Sequence, residues 1–157
     1  MHRDVTIQIL KPGDVALLRG LNATFADAFD DPDTYQSAPP SDDYLAHLLS
    51  LPHVIAVAAT VENDVIGGLV AYELQKFEQP RSEIYIYDLA VADAWRRRGM
   101  ATAIVDKLRE AAEKRGASVI YVQADRDDGP AVALYSKLGT IQDVHHFDIA
   151  VGSETQD

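Results

Sequence analysis

Across residues 82–115 the hydrophobic period changes from about two to about 3.6 residues, and this switch constrains the fold more than any other feature of the chain. Ser82 to Val91 is an aromatic and β-branched run that reads as a strand. From Gly99 onward, Met100, Ile104, Leu108, Ala111 and Ala112 recur at helical spacing as far as Gly116, where a C-terminal cap belongs. Only the loop ADAWRRR lies between. A strand that turns tightly into a helix aims several free backbone N–H groups and the positive end of the helix dipole at one point, where anions bind. Gly99 lets a ligand approach the backbone, Ala101 is small, and Arg96, Arg97 and Arg98 concentrate positive charge there.

The rest of the chain builds a sheet around that switch. Val119–Ala124 reads as a short strand that the preceding helix places parallel to the one ending at Val91, a right-handed βαβ unit. Upstream, Val5–Leu10 alternates as a strand, Pro12-Gly13 turns, and Asp14 offers a cap for a helix with the stripe Val15, Leu18, Leu21, Ala26 and Phe29. The segment DDPDTYQSAPPSDD reads as a loop, closed by Ser41 as the cap of a short helix to about Ser50. Val54–Val61 and Val65–Gln75 flank the turn residues Glu62-Asn63-Asp64 as a hairpin, with Gly67-Gly68 marking a bulge or a close backbone approach. A helix over Gly129–Leu138 and a closing strand over Ile141–Ile149 complete the order βααβββαβαβ. The expected fold is a mixed α/β (α+β) domain spanning residues 1–157: a mostly antiparallel central sheet, helices on both faces, and a central parallel strand pair.

Composition removes several function classes. At 157 residues, with 47% hydrophobic and 25% charged, the chain has the size and mix of one folded domain. It has no cysteine, which excludes disulfides, thiolate metal sites and a cysteine nucleophile and fits a reducing compartment. No apolar stretch reaches signal-peptide or membrane-spanning length, so a cytoplasmic location is expected. The formal charge of −11 repels nucleic acid and anionic membranes and suits a cationic partner, although an acidic balance also serves solubility. Neither GxxxxGK[ST] nor GxGxxG occurs. His145-His146 has no further His or Cys cluster around it, which argues against a metal site.

The spacing of Arg96, Gly99 and Ala101 resembles the Arg/Gln-x-x-Gly-x-Gly/Ala pattern of the GCN5-related N-acetyltransferase superfamily, and PAVALYSKLG, from Pro130 to Gly139, is similar to that superfamily's next signature. The segments SDDYL, KFEQPRSEIYIYDLAV, YVQAD, DGPAVALYSKLG and HFDI resemble the aminoglycoside 3-N-acetyltransferases of the gentamicin-resistance type, from about Ser41 to Ile149. The resemblance implies acetyl-CoA as acetyl donor. Its pyrophosphate would lie on Arg96, Arg97, Arg98, Gly99, Met100, Ala101 and Thr102, and the backbone of Leu89, Ala90 and Val91 would hold the thioester carbonyl and pantetheine arm. It also implies that Tyr135 stands beside the thioester sulfur as general acid, where helical spacing alone reads a core tyrosine.

Acetyl transfer to an amine needs an unprotonated amine, a stabilised oxyanion and a proton for the departing thiolate. Asp88 is the base candidate, because a carboxylate within YIYDLAV must face a polar partner or cleft. The alternative is a structural carboxylate bonded to backbone N–H groups. For a polycationic acceptor the candidate contacts are Glu78, Asp125 and Asp148, with Tyr44 beside them. The alternating segment VHHFDIAV could pair with a second copy in a homodimer. An acetyltransferase for a polyamine or peptide, and a non-catalytic acyl-CoA-binding module, remain open alternatives.

Overall fold

The computed structural model describes residues 4–152. Among them, five strands form one sheet: β1 (Thr6–Ile9), β2 (Val54–Val61), β3 (Asp64–Gln75), β4 (Ser82–Val91) and β5 (Ala117–Val122). Their order is β1-β2-β3-β4-β5, antiparallel throughout except for the parallel pair β4–β5. The helices are α1 (Val15–Ala28), α2 (Pro32–Gln36), α3 (Asp42–Ser50), α4 (Met100–Arg115) and α5 (Gly129–Leu138). This is the mixed, mostly antiparallel architecture expected from the sequence, although the parallel pair, expected at the centre, lies at the β5 edge of the sheet among the described residues. Contacts group the chain into two compact units, one ending at Gln123 and the other beginning at Ala124. The first holds the sheet and α1 to α4, and the second holds α5 and the segment that follows it. No helix among the described residues is long and apolar enough to cross a membrane.

Local chemistry sets most boundaries. The Ser41 hydroxyl accepts a hydrogen bond from the Tyr44 N–H and starts α3. Glu62 and Asn63, at φ 52° and 69°, form the two-residue turn that joins Val61 to Asp64, a conformation that matches the right-handed twist of a hairpin. Asp14 sits at the start of α1, yet its carboxylate accepts from the Lys11 N–H and makes no bond to the helix.

The glycine pair in β3 shows how the layers meet. A Cβ at Gly68 would stand 2.3 Å from the Val57 carbonyl oxygen and 2.6 Å from Leu21 of α1, whereas one at Gly67 would meet the Ala90 carbonyl oxygen at 2.9 Å and Ile104 of α4 at 3.3 Å. Successive strand residues point to opposite faces, so α1 and α4 lie on opposite sides of the sheet. Both glycines are there for close approach. On the α1 face, Leu18, Leu21 and Phe25 pack with Leu45 and Leu49 of α3 over Ala56, Ala58 and Ala90, whose small side chains let the helices come close. Leu21 is fully buried, and truncating such a leucine costs about 2–5 kcal/mol.

Besides the Asp14 cap and the place of the parallel pair, three expectations change. The segment after Phe29 is not all loop: Asp31 caps α2 by accepting from the Thr34 N–H, with Pro32 in its first turn. β5 lies two residues earlier than Val119–Ala124. The closing strand over Ile141–Ile149 does not form, and Ile141, Val144, Phe147 and Ile149 are exposed. Alternation specifies which face a strand would bury, but a strand exists only with a neighbour to complete its ladder, and the described residues of the second unit hold no strand to supply one.

Candidate functional site

The loop between β4 and α4 is built to leave backbone donors open. After the single 3₁₀ turn Asp93–Trp95, Arg97 and Gly99 adopt left-handed φ values of 62° and 76°, and Gly99 serves as the N-cap of α4 without any side-chain cap. The first intrahelical bond at this end runs from the Ala103 N–H to the Gly99 carbonyl, so the N–H groups of Met100, Ala101 and Thr102 point beyond the helix end. No acidic residue lies in the first turn, and nothing comes within 4 Å of where a Gly99 Cβ would be. The donor set and open space fit a pyrophosphate. Two of the three arginines brace the loop: Arg96 donates from Nε to the Val91 carbonyl at 3.1 Å and pairs with Asp93 at 2.8 Å, and the Arg98 guanidinium lies 5.0 Å from the Trp95 ring centre.

The parallel pairing ends before this loop. β4 and β5 pair from Ser82↔Ala117 to Ile86↔Val122, with a register shift between Ser82 and Ile84, and there β5 stops while β4 continues to Val91. On its other side β4 remains paired with β3, through Leu69↔Leu89, Gly68↔Ala90 and Gly67↔Val91. The Leu89–Val91 stretch therefore has one strand edge without a strand partner among the described residues, open to an extended ligand. The Val91 carbonyl is already engaged by Arg96.

Asp88 stands just beyond the last paired residue of β5. The register between β3 and β4 slips so that Val70 faces Asp88 while Ala71 faces Ile86, leaving Tyr87 as the extra residue of a bulge. The Asp88 carboxyl is half-buried, and burial raises its pKa above the usual carboxylate range against the opposing effect of a hydrogen bond from Tyr35. Tyr35 is carried by α2, its ring 5.9 Å from that of Phe25 and 5.8 Å from that of Phe29. Burial, then the neighbouring carboxylate and the hydrogen bond to it, raise the Tyr35 phenol in turn. Tyr72 lies near Asp88, Tyr87 and Tyr44, and its phenol is raised by burial first and by these neighbours after it.

The remaining candidates fall in different places. Tyr44, on α3, joins the tyrosines near Asp88. Glu78 lies in the β3–β4 loop, paired with Arg81 at 2.9 Å and Lys76 at 3.9 Å, and the Arg81 hydrogen bond holds its carboxyl below the ordinary range. It precedes the start of β4 at Ser82, six residues and so roughly 20 Å of strand from Asp88. Tyr135, Asp125 and Asp148 belong to the second unit. There Asp128 caps α5 through the Ala131 N–H, and burial, with Asp128 adding, pushes the Tyr135 phenol up to about 12, so it carries its proton at neutral pH. Asp125 lies in the turn before that cap, and Asp148 is bonded to His146 at 2.8 Å. The sequence reading missed Tyr35, Tyr72 and Tyr87. The Asp31-Pro32 start of α2 was the available signal for the first, and the alternation of Tyr85 and Tyr87 before Asp88 for the last.

Among known proteins, the model of the acetyltransferase (GNAT) family matches residues 21–140. The crystal structure of an aminoglycoside acetyltransferase, HMB0005, from an uncultured soil metagenomic sample is 53% identical, with 95% of this chain and 99% of that chain covered and a TM-score of 0.92. Another aminoglycoside acetyltransferase of such origin, meta-AAC0020, in complex with sisomicin, is 25% identical, with 94% and 97% covered and a TM-score of 0.87. The L-amino acid N-acetyltransferase AaaT of Escherichia coli (strain K12) is 26% identical over 114 residues, which are 68% of this chain and 65% of that protein.

Proposed function

Because the chain belongs to the acetyltransferase (GNAT) family, which draws its acetyl group from acetyl-CoA, we propose that it is an aminoglycoside 3-N-acetyltransferase. The observation that carries this reading is the 53% identity to an aminoglycoside acetyltransferase over 95% of the chain. The choice of the 3-amino group follows the resemblance of the segment KFEQPRSEIYIYDLAV.

Acetyl-CoA supplies the acetyl group as a thioester. In this reading the N–H groups of Met100, Ala101 and Thr102, with the positive end of α4 and the loop arginines, hold the pyrophosphate. The open edge of β4 at Leu89–Val91 orients the pantetheine arm and the thioester carbonyl. Asp88 attracts the acceptor ammonium and accepts its proton, directly or through a water. The amine nitrogen then bonds to the carbonyl carbon and the C–S bond breaks as Tyr135, protonated at neutral pH, gives its proton to the departing thiolate; the second proton that the nitrogen sheds passes through water to restore the Tyr135 phenol. With no cysteine in the chain to carry an acetyl group, the transfer is direct.

The likeness to AaaT supports a second reading, in which the acceptor is a smaller amine. Thiol release from acetyl-CoA with gentamicin, spermidine, an L-amino acid and a peptide separates the two, and NMR of the product fixes the acetylated position. The first reading predicts turnover with gentamicin, a product acetylated at the 3-amino group, and gentamicin resistance in an expressing bacterium; turnover with the smaller amines alone overturns it. We also propose a homodimer, supported by the exposed apolar residues Ile141, Val144, Phe147 and Ile149 and by the edge position of β5. Light scattering at micromolar concentration tests it.

A further inference from the structure

Six tyrosines precede residue 124, and contacts or charge interactions link every one of them to the surroundings of Asp88. Tyr72, Tyr87, Tyr85 and Tyr121 form a continuous row of rings across β3, β4 and β5. Tyr72 and Tyr87 meet edge to face at 6.2 Å, Tyr85 and Tyr87 edge to face at 5.8 Å, and Tyr85 and Tyr121 stack at 4.8 Å. Tyr35 approaches Asp88 from α2, and Tyr44 approaches Tyr72 from α3.

Two properties distinguish this group from an ordinary aromatic core. Tyr87 is 62% exposed and Tyr44 55%, so ring surface is left in contact with water beside a half-buried acid. In addition, Asp88 takes part in none of the ion pairs among the described residues, whereas Asp42, Glu73 and Asp143 each reach an arginine more than ten positions away. A half-buried carboxylate without a counter-cation, beside aromatic rings with open faces, has the chemistry that binds an ammonium group from outside the protein.

We propose that Asp88, Tyr35, Tyr72 and Tyr87 form a cation-binding box for one ammonium group of the acceptor. Asp88 supplies the charge, Tyr35 fixes the carboxylate through its hydrogen bond, and the rings of Tyr72 and Tyr87 supply cation–π attraction. The bulge at Tyr87 interrupts the regular alternation that would send Tyr87 and Asp88, successive residues of one strand, to opposite faces. The box deepens the proposed function by naming what selects its acceptor, and it rests on that reading only for the identity of the cation.

The test is calorimetric binding of gentamicin and, separately, spermidine to the wild-type chain and to Tyr72→Leu, Tyr87→Leu, Tyr72→Phe and Tyr87→Phe. Circular dichroism and acetyl-CoA binding serve as folding controls. The leucine variants should bind the cation roughly fivefold to thirtyfold more weakly, while the phenylalanine variants, which keep the ring, stay within about twofold of wild type. Folded leucine variants that bind gentamicin within about twofold of wild type overturn the box even if gentamicin is acetylated. If a leucine variant misfolds, perturbation of the Tyr72 and Tyr87 ring resonances of the wild type by the cation replaces it, and unmoved resonances overturn the box. Binding of spermidine but not gentamicin, lost in the leucine variants, upholds the box and removes the aminoglycoside reading. Wild-type protein that binds neither cation overturns both.

Discussion

Two carboxylates beside the opposite ends of β4 have opposite fates. At the Ser82 end, Glu73 of the adjoining β3 receives hydrogen bonds from the Ser82 hydroxyl at 2.6 Å and from Arg115 at 2.8 Å, and Arg115 also reaches the Pro52 carbonyl at 2.5 Å. Burial alone would raise the Glu73 carboxyl, but these bonds outweigh it and hold the group below the usual range. At the Val91 end, Asp88 has a tyrosine partner and no cation, and burial prevails. The backbone follows the same division, with β5 paired to β4 at the Ser82 end and absent at the other. A carboxylate that the protein itself satisfies holds elements together, whereas one left unsatisfied keeps its binding capacity for a ligand.

The sharpest way to break this contrast is Asp88→Asn. It should lower kcat/KM by roughly 10²–10⁴-fold in steady-state assays while leaving acetyl-CoA affinity intact. Because the folded pKa of Asp88 is raised, its ionisation costs stability as pH rises through that value. The melting temperature at neutral pH should therefore stay level or rise, and a clear fall would assign Asp88 to the scaffold.

Arg115→Met should act in reverse. It leaves Glu73 half-satisfied and should cost roughly 1–3 kcal/mol in urea unfolding, with the activity of the folded enzyme unchanged. The folded pKa of Glu73 is lowered, so its contribution is present above the ordinary carboxylate range and lost as pH falls through the depressed value. In the variant that acid-side loss should flatten.

A smaller effect is expected from Tyr35→Phe. Its hydrogen bond lowers the Asp88 pKa against burial, so removing it should move the acid limb of the kcat/KM profile to higher pH, with acetyl-CoA affinity unchanged. A purely structural tyrosine would leave the limb where it was. Smallest of all is Glu78→Gln, at the satisfied end and exposed, for which neither the urea unfolding midpoint nor the KM for gentamicin should move measurably.

Features written in a few adjacent residues were legible from the chain. Ser41 caps its helix through a residue three positions on, Glu62-Asn63 turns a hairpin, and Gly99 opens α4 in the conformation that glycine tolerates best. The anion-binding loop belongs to this class, since every donor comes from one short segment. The short helix α2 was locally signalled by Asp31-Pro32 but obscured by the proline- and aspartate-rich stretch around it. The strand over Ile141–Ile149 was inferred from alternation, which records a preference for a two-faced environment and says nothing of whether a partner strand exists.

By itself, then, the sequence determined the order of the elements from β2 to α5, the parallel step from β4 through α4 to β5, and the phosphate-type loop, because periodicity, caps and turns act over one to four residues. Tertiary structure decided which carboxylate is left unsatisfied. Glu73 and Asp88 differ in their partners, Arg115 lying 42 positions from the first and Tyr35 53 positions from the second, and only folding across such separations could assign them.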